Sequence, residues 1–294
     1  MMKVAHVGLI APLVCLAFGN ENGYGYGYGW KEPSPSLSYA NVTSLLDTII
    51  TRGYLRVGTT GDYKPFSYKV ADATALPNGT SFNTTYIGGD IDMAQALSNA
   101  LSLPSPPVFV PSVWANLTKD VAADQFDIAM GGVSITLPRA KTAFFSTSMQ
   151  RVGKTGCIRC ADKEKYTDFE SLDVSGVKIA ANPGGTNEAF DRANFQNAEI
   201  VIVEDNNAVY QAVIDGTADA MVSDKIEVEL QVNLRNGSLC MVNEEPWTFE
   251  ELGYLLPRDQ AWKNFVDLWV RNQVEGGAWN ETLGKWMAYK WPAV

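Results

Sequence analysis

Short apolar segments alternate with amphipathic ones along most of this chain, and that alternation limits its fold more than any other feature. Residues 54–58, 108–110 and 127–130 read as strands, and 90–101 and 116–123 as helices. Before them, Leu45, Leu46, Ile49 and Ile50 recur at helical spacing until Gly53 stops the run. A second series follows, with strands at 177–181, 200–203 and 218–222 and helices at 186–193, 208–214 and 225–234. Helices at 260–274 and 278–289 close the chain. Strand–helix repetition predicts parallel sheets covered by helices on both faces. The two series part at 149–154, so two α/β lobes are expected, 41–150 and 151–248. The strand-like 252–256 then leads 249–294 back to the first lobe. The Asn-, Thr- and Gly-rich stretch 71–86 reads as a surface hairpin or loop.

The first 40 residues belong to neither series. Lys3 precedes an apolar run at 7–18 that is too short to span a bilayer, and small residues near Ala17 and Gly19 offer cleavage points. Residues 1–19 therefore read as a secretory signal rather than a retained anchor, and bulky Val14 before Cys15 argues against lipid attachment. Residues 20–40 form a Tyr/Gly/Pro leader with no core-forming pattern, in which a wall-contacting role for the tyrosines is a minor alternative. Sequons at Asn41, Asn78, Asn83, Asn116, Asn236 and Asn280 add to the expectation of a secreted, glycosylated chain. Asn116 falls in a segment expected near the cleft, which argues against its use.

A formal net charge of -10 disfavours nucleic acid and anionic membrane as partners. An anionic substrate must then be met by a few placed cations. The only histidine is His6, inside the signal, so the mature chain has no histidine for a triad, a zinc site or proton transfer. Three cysteines remain beyond the signal, which permits one internal disulfide. Cys157 and Cys160 form a C-x-x-C inside an expected strand, not at a helix start, so the favoured pairing is Cys160 with Cys240, leaving Cys157 free.

Ligands of open α/β sheets bind beyond the carboxyl ends of strands, so the residues after each strand are the candidates. Gly58-Thr59-Thr60-Gly61-Asp62-Tyr63 follows the first strand, and Gly131-Gly132-Val133-Ser134-Ile135-Thr136 with Arg139 follows the third. In the second series, Asn182-Pro183-Gly184-Gly185-Thr186-Asn187-Glu188 and Ser223-Asp224 take the same places. Arg139 suits a carboxylate because guanidinium binds it bidentately, with Ser134 and Thr136 as adjacent donors; the alternative is a surface arginine paired to an acid. Gly185, Thr186 and Asn187 open a helix, where free amides favour anions, or where a side chain simply caps. Glu188 in that first turn is expected to be ionised unless cleft closure desolvates it. Tyr63 and Trp114 offer ring surfaces or ordinary packing. Asp224 suits an ammonium or a helix cap, and Lys154 stands at the lobe junction.

Taken in order, segment 58–66, Gly89-Asp90-Ile91-Asp92-Met93, and segment 127–136 with Arg139 resemble the type 2 periplasmic binding proteins of polar amino acid uptake. That resemblance implies a two-lobed fold with a ligand cleft between the lobes, Arg139 on the ligand carboxylate and Asp224 on its ammonium. Segments 58–68, 112–117, 127–139, 182–188, 254–259 and 289–292 more closely resemble the cyclohexadienyl dehydratases of that fold. This implies a lyase acting on prephenate or arogenate, with Glu188 as general acid and no metal or organic cofactor. A non-catalytic amino-acid-binding module is the alternative. The insertion after Lys69, the Tyr/Gly leader, Cys157, and Gly89 where Phe is usual depart from the pattern.

Overall fold

The computed structural model describes residues 43–70 and 86–292. The signal segment, the leader, the 71–85 stretch and the sequons at Asn41, Asn78 and Asn83 lie outside the described residues. Asn116, Asn236 and Asn280 are exposed.

Helix α1 (Leu45–Arg52) starts in a capping box: Asp47 N–H donates to the Ser44 hydroxyl, and Ser44 N–H donates back to the Asp47 carboxylate. It ends at Gly53, where φ is 82°, a region that favours glycine. Strands β1 (Arg56–Thr59), β2 (Asp62–Tyr63), β3 (Ser67–Lys69) and β4 (Tyr86–Ile87) lead to α2 (Gly89–Ala100) and β5 (Val108–Pro111). Then come α3 (Leu117–Ala122), β6 (Ile128–Ser134), α4 (Leu137–Ala140), β7 (Phe144–Phe145) and β8 (Gln150–Val152). The second series comprises β9 (Lys154–Arg159), α5 (Phe169–Leu172), β10 (Lys178–Ala181), α6 (Thr186–Asn194) and β11 (Glu199–Ile202). It continues with α7 (Val209–Ile214), β12 (Ala220–Asp224), α8 (Lys225–Leu234) and β13 (Leu239–Met241). Strand β14 (Glu250–Leu256) and helices α9 (Gln260–Glu275) and α10 (Ala278–Met287) complete the chain.

One sheet has the order β5-β1-β6-β14-β7, with β8 also on β14; the other runs β11-β10-β12-β9-β13. Strands β2, β3 and β4 make a small antiparallel sheet beside the first. The two main sheets are mixed, not wholly parallel as the alternation predicts. β5-β1-β6 and β11-β10-β12 are parallel, whereas β14 is antiparallel to β6 and β9 to β12. The reason is connectivity: β9 and β14 arrive directly from the other sheet, with no crossover helix to reverse them. Strand β6 also runs on through Gly131 and Gly132 to Ser134, past the expected strand end at 130.

The two connections between the sheets lie side by side. Lys154 N–H donates to Thr248 Oγ1 at 2.9 Å and Trp247 N–H to the Lys154 carbonyl at 2.8 Å. A Cβ on Gly153 would fall 1.9 Å from the Thr248 carbonyl oxygen, so only glycine fits there. Each lobe has its own core. Trp262, Trp269 and Trp279 of the closing helices pack with Val57, Ile128 and Met130 under the first sheet. Ile158, Ile179 and Val222 centre one side of the second. Cys160, just past the end of β9, is bridged to Cys240 of β13, and Cys157 is free and buried, its thiol pushed well up by burial. Among the described residues no helix is long and apolar enough to cross a membrane.

Candidate active site

The strand ends of both sheets face one another across the cleft. Lobe 1 contributes Tyr63 from β2 and Ser134 from the end of β6; lobe 2 contributes Asp224 from the end of β12 and Thr186 and Asn187 from the first turn of α6. Tyr63 OH donates to Asp224 Oδ2, Ser134 Oγ lies 3.2 Å from Thr186 Oγ1, and Asn206 Nδ2 donates to the Asp62 carbonyl at 3.0 Å. These contacts cross from lobe to lobe and close an inner chamber of about 30 Å³. That is room for water and well below the roughly 300–1,000 Å³ of small-molecule sites, so a ligand requires these contacts to part.

Lys154 is wholly buried beneath this chamber. Its Nζ donates to Asp224 Oδ1 and Asn187 Oδ1, both at 2.8 Å, and to Thr186 Oγ1 at 3.3 Å, with Glu250 Oε2 at 3.4 Å. Burial alone pulls the ammonium pKa down, but Asp224 and Glu250 together hold it above the ordinary lysine value. Trp114 Nε1 donates to Asp62 Oδ1 at 3.1 Å, which fixes the indole with Tyr63 edge-on at 5.7 Å between centroids.

The chamber is thus lined by Tyr63, Trp114, Ser134, Gly185, Thr186, Asn187 and Asp224. Thr136 and Arg139 instead line an adjoining outer pocket, which shares Gly185 and Thr186 with the chamber. Thr136 caps α4, and Arg139 Nη1 donates to the Ser134 carbonyl at 3.0 Å. Among the described residues no carboxylate reaches ion-pair distance of Arg139, so its charge is available. Burial lowers its pKa, opposed by Asp224 and Glu250.

Glu188, the general acid that the resemblance implies, is not among the residues lining the chamber or the outer pocket, although its neighbours Asn187 and Ala189 are. Its Oε2 accepts from Gly184 N–H at 2.7 Å and its Oε1 from Arg192 Nε at 2.8 Å. The Gly184 amide first, and then Arg192, hold its pKa below the ordinary glutamate value. Of the two opposing effects in a first helical turn, stabilisation of the anion wins here, because two donors reach a side chain that is only 19% exposed.

Glu227, not among the residues expected at the site, has the opposite environment. It lies in the first turn of α8, is 4% exposed and lines the chamber. Ser223 Oγ donates to its Oε2 and accepts from Asn187 Nδ2 at 3.0 Å. Among the described residues its Oε1 accepts no hydrogen bond. Burial, with the charges of Asp224 and Asp62, pushes its pKa up to about 8 against the opposing Ser223 hydrogen bond and Lys154 charge. Asn182 and Asn206 also line the chamber. A signal for Glu227 exists in the sequence: it shares a helical face with Leu230 and Gln231, and all three are buried.

With this geometry established, the family can be assigned. Residues 55–289 match the bacterial extracellular solute-binding proteins, family 3, and the chain belongs to that family. Cyclohexadienyl dehydratase of Pseudomonas aeruginosa is 43% identical over 252 residues, 85% of this chain and 89% of that protein. The L-cystine-binding protein TcyJ of Escherichia coli is 25% identical over 83% of this chain and 82% of its own. Among solved structures, the ancestral amino acid-binding protein AncCDT-1, a precursor of cyclohexadienyl dehydratase, is 33% identical. It aligns with a TM-score of 0.72 over 83% of this chain and 99% of its own. An amino acid transporter substrate-binding protein from Streptococcus pneumoniae, 23% identical, shares the fold with a TM-score of 0.73 over 84% of this chain and 99% of its own.

Proposed function

We propose that this chain is a secreted lyase of the cyclohexadienyl dehydratase type, converting prephenate to phenylpyruvate, arogenate to phenylalanine, or both. The observation that carries this reading is Glu227, a carboxyl group buried in the cleft chamber, where burial raises its pKa. Such a group weakens a site that only binds anions, but it is what a reaction expelling hydroxide requires. The relative at 43% identity supports the same reading.

In this reading Arg139 and the start of α6 hold the side-chain carboxylate of the substrate. Trp114 and Tyr63 wall the ring and exclude water from its second carboxylate. Glu227 donates its proton to the ring hydroxyl oxygen as the C–O bond breaks, and the oxygen leaves as water. The electron pair of the ring-to-carboxylate C–C bond moves into the ring, which becomes aromatic as carbon dioxide departs. Solvent returns one proton to Glu227 each turnover. Glu227 here takes the role that the resemblance assigns to Glu188. Lys154 neutralises Asp224, so a dianionic substrate does not meet a bare carboxylate.

The test is to follow phenylpyruvate formation from prephenate by purified protein at neutral pH against a no-enzyme control, and phenylalanine formation from arogenate in parallel. Turnover of either substrate supports the lyase. Saturable binding of an amino acid without turnover of either supports a receptor and contradicts it.

A further inference from the structure

Glu227 stands at the end of a chain of hydrogen bonds whose direction is fixed by its first member. The Lys154 ammonium only donates. The Asn187 atom that meets it at 2.8 Å is therefore the carbonyl oxygen Oδ1, which turns the amide nitrogen Nδ2 toward Ser223. An amide nitrogen also only donates, so Ser223 Oγ accepts at 3.0 Å and its own proton goes elsewhere. Glu227 Oε2 takes it. Each member thus donates to the next, from Lys154 through Asn187 and Ser223 to Glu227.

This order decides which carboxyl oxygen of Glu227 holds the proton. If Oε2 held it, two donors would face each other, and the fully buried Ser223 hydroxyl would lose its acceptor. Oε2 is therefore the carbonyl oxygen of the neutral acid. The proton sits on Oε1, which accepts no hydrogen bond among the described residues. When Glu227 gives up that proton, the Ser223 donor is already aimed at the carboxylate left behind. All four residues belong to the second lobe, on β9, α6, β12 and α8. The bonds from Tyr63 to Asp224 and between Ser134 and Thr186 part to admit a ligand, whereas this chain of bonds does not have to change.

We propose that Ser223 and Asn187 are positioning residues that place the transferable proton of Glu227 on Oε1, with Lys154 setting the direction. The catalytic consequence rests on the lyase reading; the placement of the proton does not.

The test uses Ser223→Ala, with Ser223→Thr as the variant that keeps the hydroxyl. Asn187→Asp is a second route, which carries the same predictions if Ser223→Ala does not fold. A carboxylate at 187 only accepts, so it draws the serine proton away from Glu227. The first readout is an infrared difference spectrum taken below and above the Glu227 pKa of about 8. It isolates the C=O stretch of the neutral acid, identified by its absence in Glu227→Gln. A hydrogen bond accepted by that oxygen lowers the stretch, so the band moves to higher frequency in Ser223→Ala and Asn187→Asp and stays in place in Ser223→Thr. The second readout is the falling limb of kcat against pH with prephenate. Burial raises the Glu227 pKa and the Ser223 bond opposes it. Loss of the donor then moves the limb up by about one pH unit and lowers kcat at pH 7 about tenfold. Facing Glu227 are Asp224 on β12, Lys154 and Cys157 on β9, Tyr210 on α7, Arg235 after α8, and Asp62, Tyr63 and Lys64 from the first lobe. Ser223→Ala changes none of them, and a merely loosened site would admit water and move the limb down. With the fold intact by melting curve, an unmoved C=O band, or a limb that stays or moves down, overturns the proposal. A shifted band without wild-type turnover refutes the reaction alone; turnover with an unmoved band refutes this placement alone.

Discussion

The Glu188 carboxylate and the Arg192 guanidinium form an ion pair one helical turn apart, with Oε1 and Nε separated by 2.8 Å. The Gly184 amide takes the other oxygen at 2.7 Å. Glu188 is therefore a helix-start residue satisfied by its own helix and loop. Replacing it by Gln removes a pair whose arginine is more than half exposed, which costs about 0.2–1 kcal/mol of stability. Turnover is expected to stay within about threefold of wild type, because no transition-state contact is lost. Urea unfolding and steady-state kinetics of Glu188→Gln check both.

Glu227 predicts two pH dependences. The acid is present below its pKa of about 8, so kcat falls as pH rises through that value. The stability effect has the same direction. At pH values below the ordinary glutamate pKa, folded and unfolded chains both hold the proton. Between that value and about 8 the folded chain keeps a proton that the unfolded chain has lost, so stability falls as pH rises, by about 1.4 kcal/mol per unit. Above about 8 both are ionised and the term is flat. Glu227→Gln removes this slope, and its stability relative to wild type should rise from pH 5 to pH 8 by a few kcal/mol. Chemical denaturation at several pH values measures it.

Arg139 donates to a carbonyl and has no described carboxylate within ion-pair distance, so it is the cation proposed to hold the substrate carboxylate. Arg139→Met is expected to raise KM about 100-fold. Arg139→Lys should recover little of this, since a point charge does not reproduce a bidentate fork. Initial-rate kinetics with prephenate decide the matter; equal activity of the Lys variant and wild type would show that only charge is needed.

The Cys160–Cys240 bridge joins residues 80 apart in sequence. Cross-linking a loop of that length removes unfolded-state entropy worth about 4 kcal/mol. A Cys160→Ala, Cys240→Ala double variant should lose stability of that order, while Cys157, buried and unbridged, contributes no cross-link. A melting temperature unchanged by the double variant would contradict this.

The fold was largely legible because its strands are short apolar runs and its helices carry one apolar face. The stop at Gly53 and the return of β14 to the first sheet follow from such signals. Strand direction was less legible. β9 and β14 are antiparallel to their neighbours because of where the chain enters, which periodicity does not encode. At the site, Tyr63, Trp114, Ser134, Asn187 and Asp224 stand on one chamber because strand ends converge there. The proposed acid was not legible in the same way. Glu188 sits in a glycine-rich motif and draws attention, but its orientation is set by Arg192 one turn on. Glu227 looks like an ordinary polar residue in the first turn of a helix. Only the packing of α8 against β12 carries it into the chamber, with Ser223 as its donor.

The central claim is that Glu227, and not Glu188, supplies the proton. The most direct measurement is kcat for prephenate with Glu227→Gln and Glu188→Gln side by side at pH 7, each checked for folding by its melting curve. The account predicts a fall of about 10³-fold for Glu227→Gln and near wild-type turnover for Glu188→Gln. The reverse pattern, with Glu188→Gln inactive and Glu227→Gln active, would contradict it.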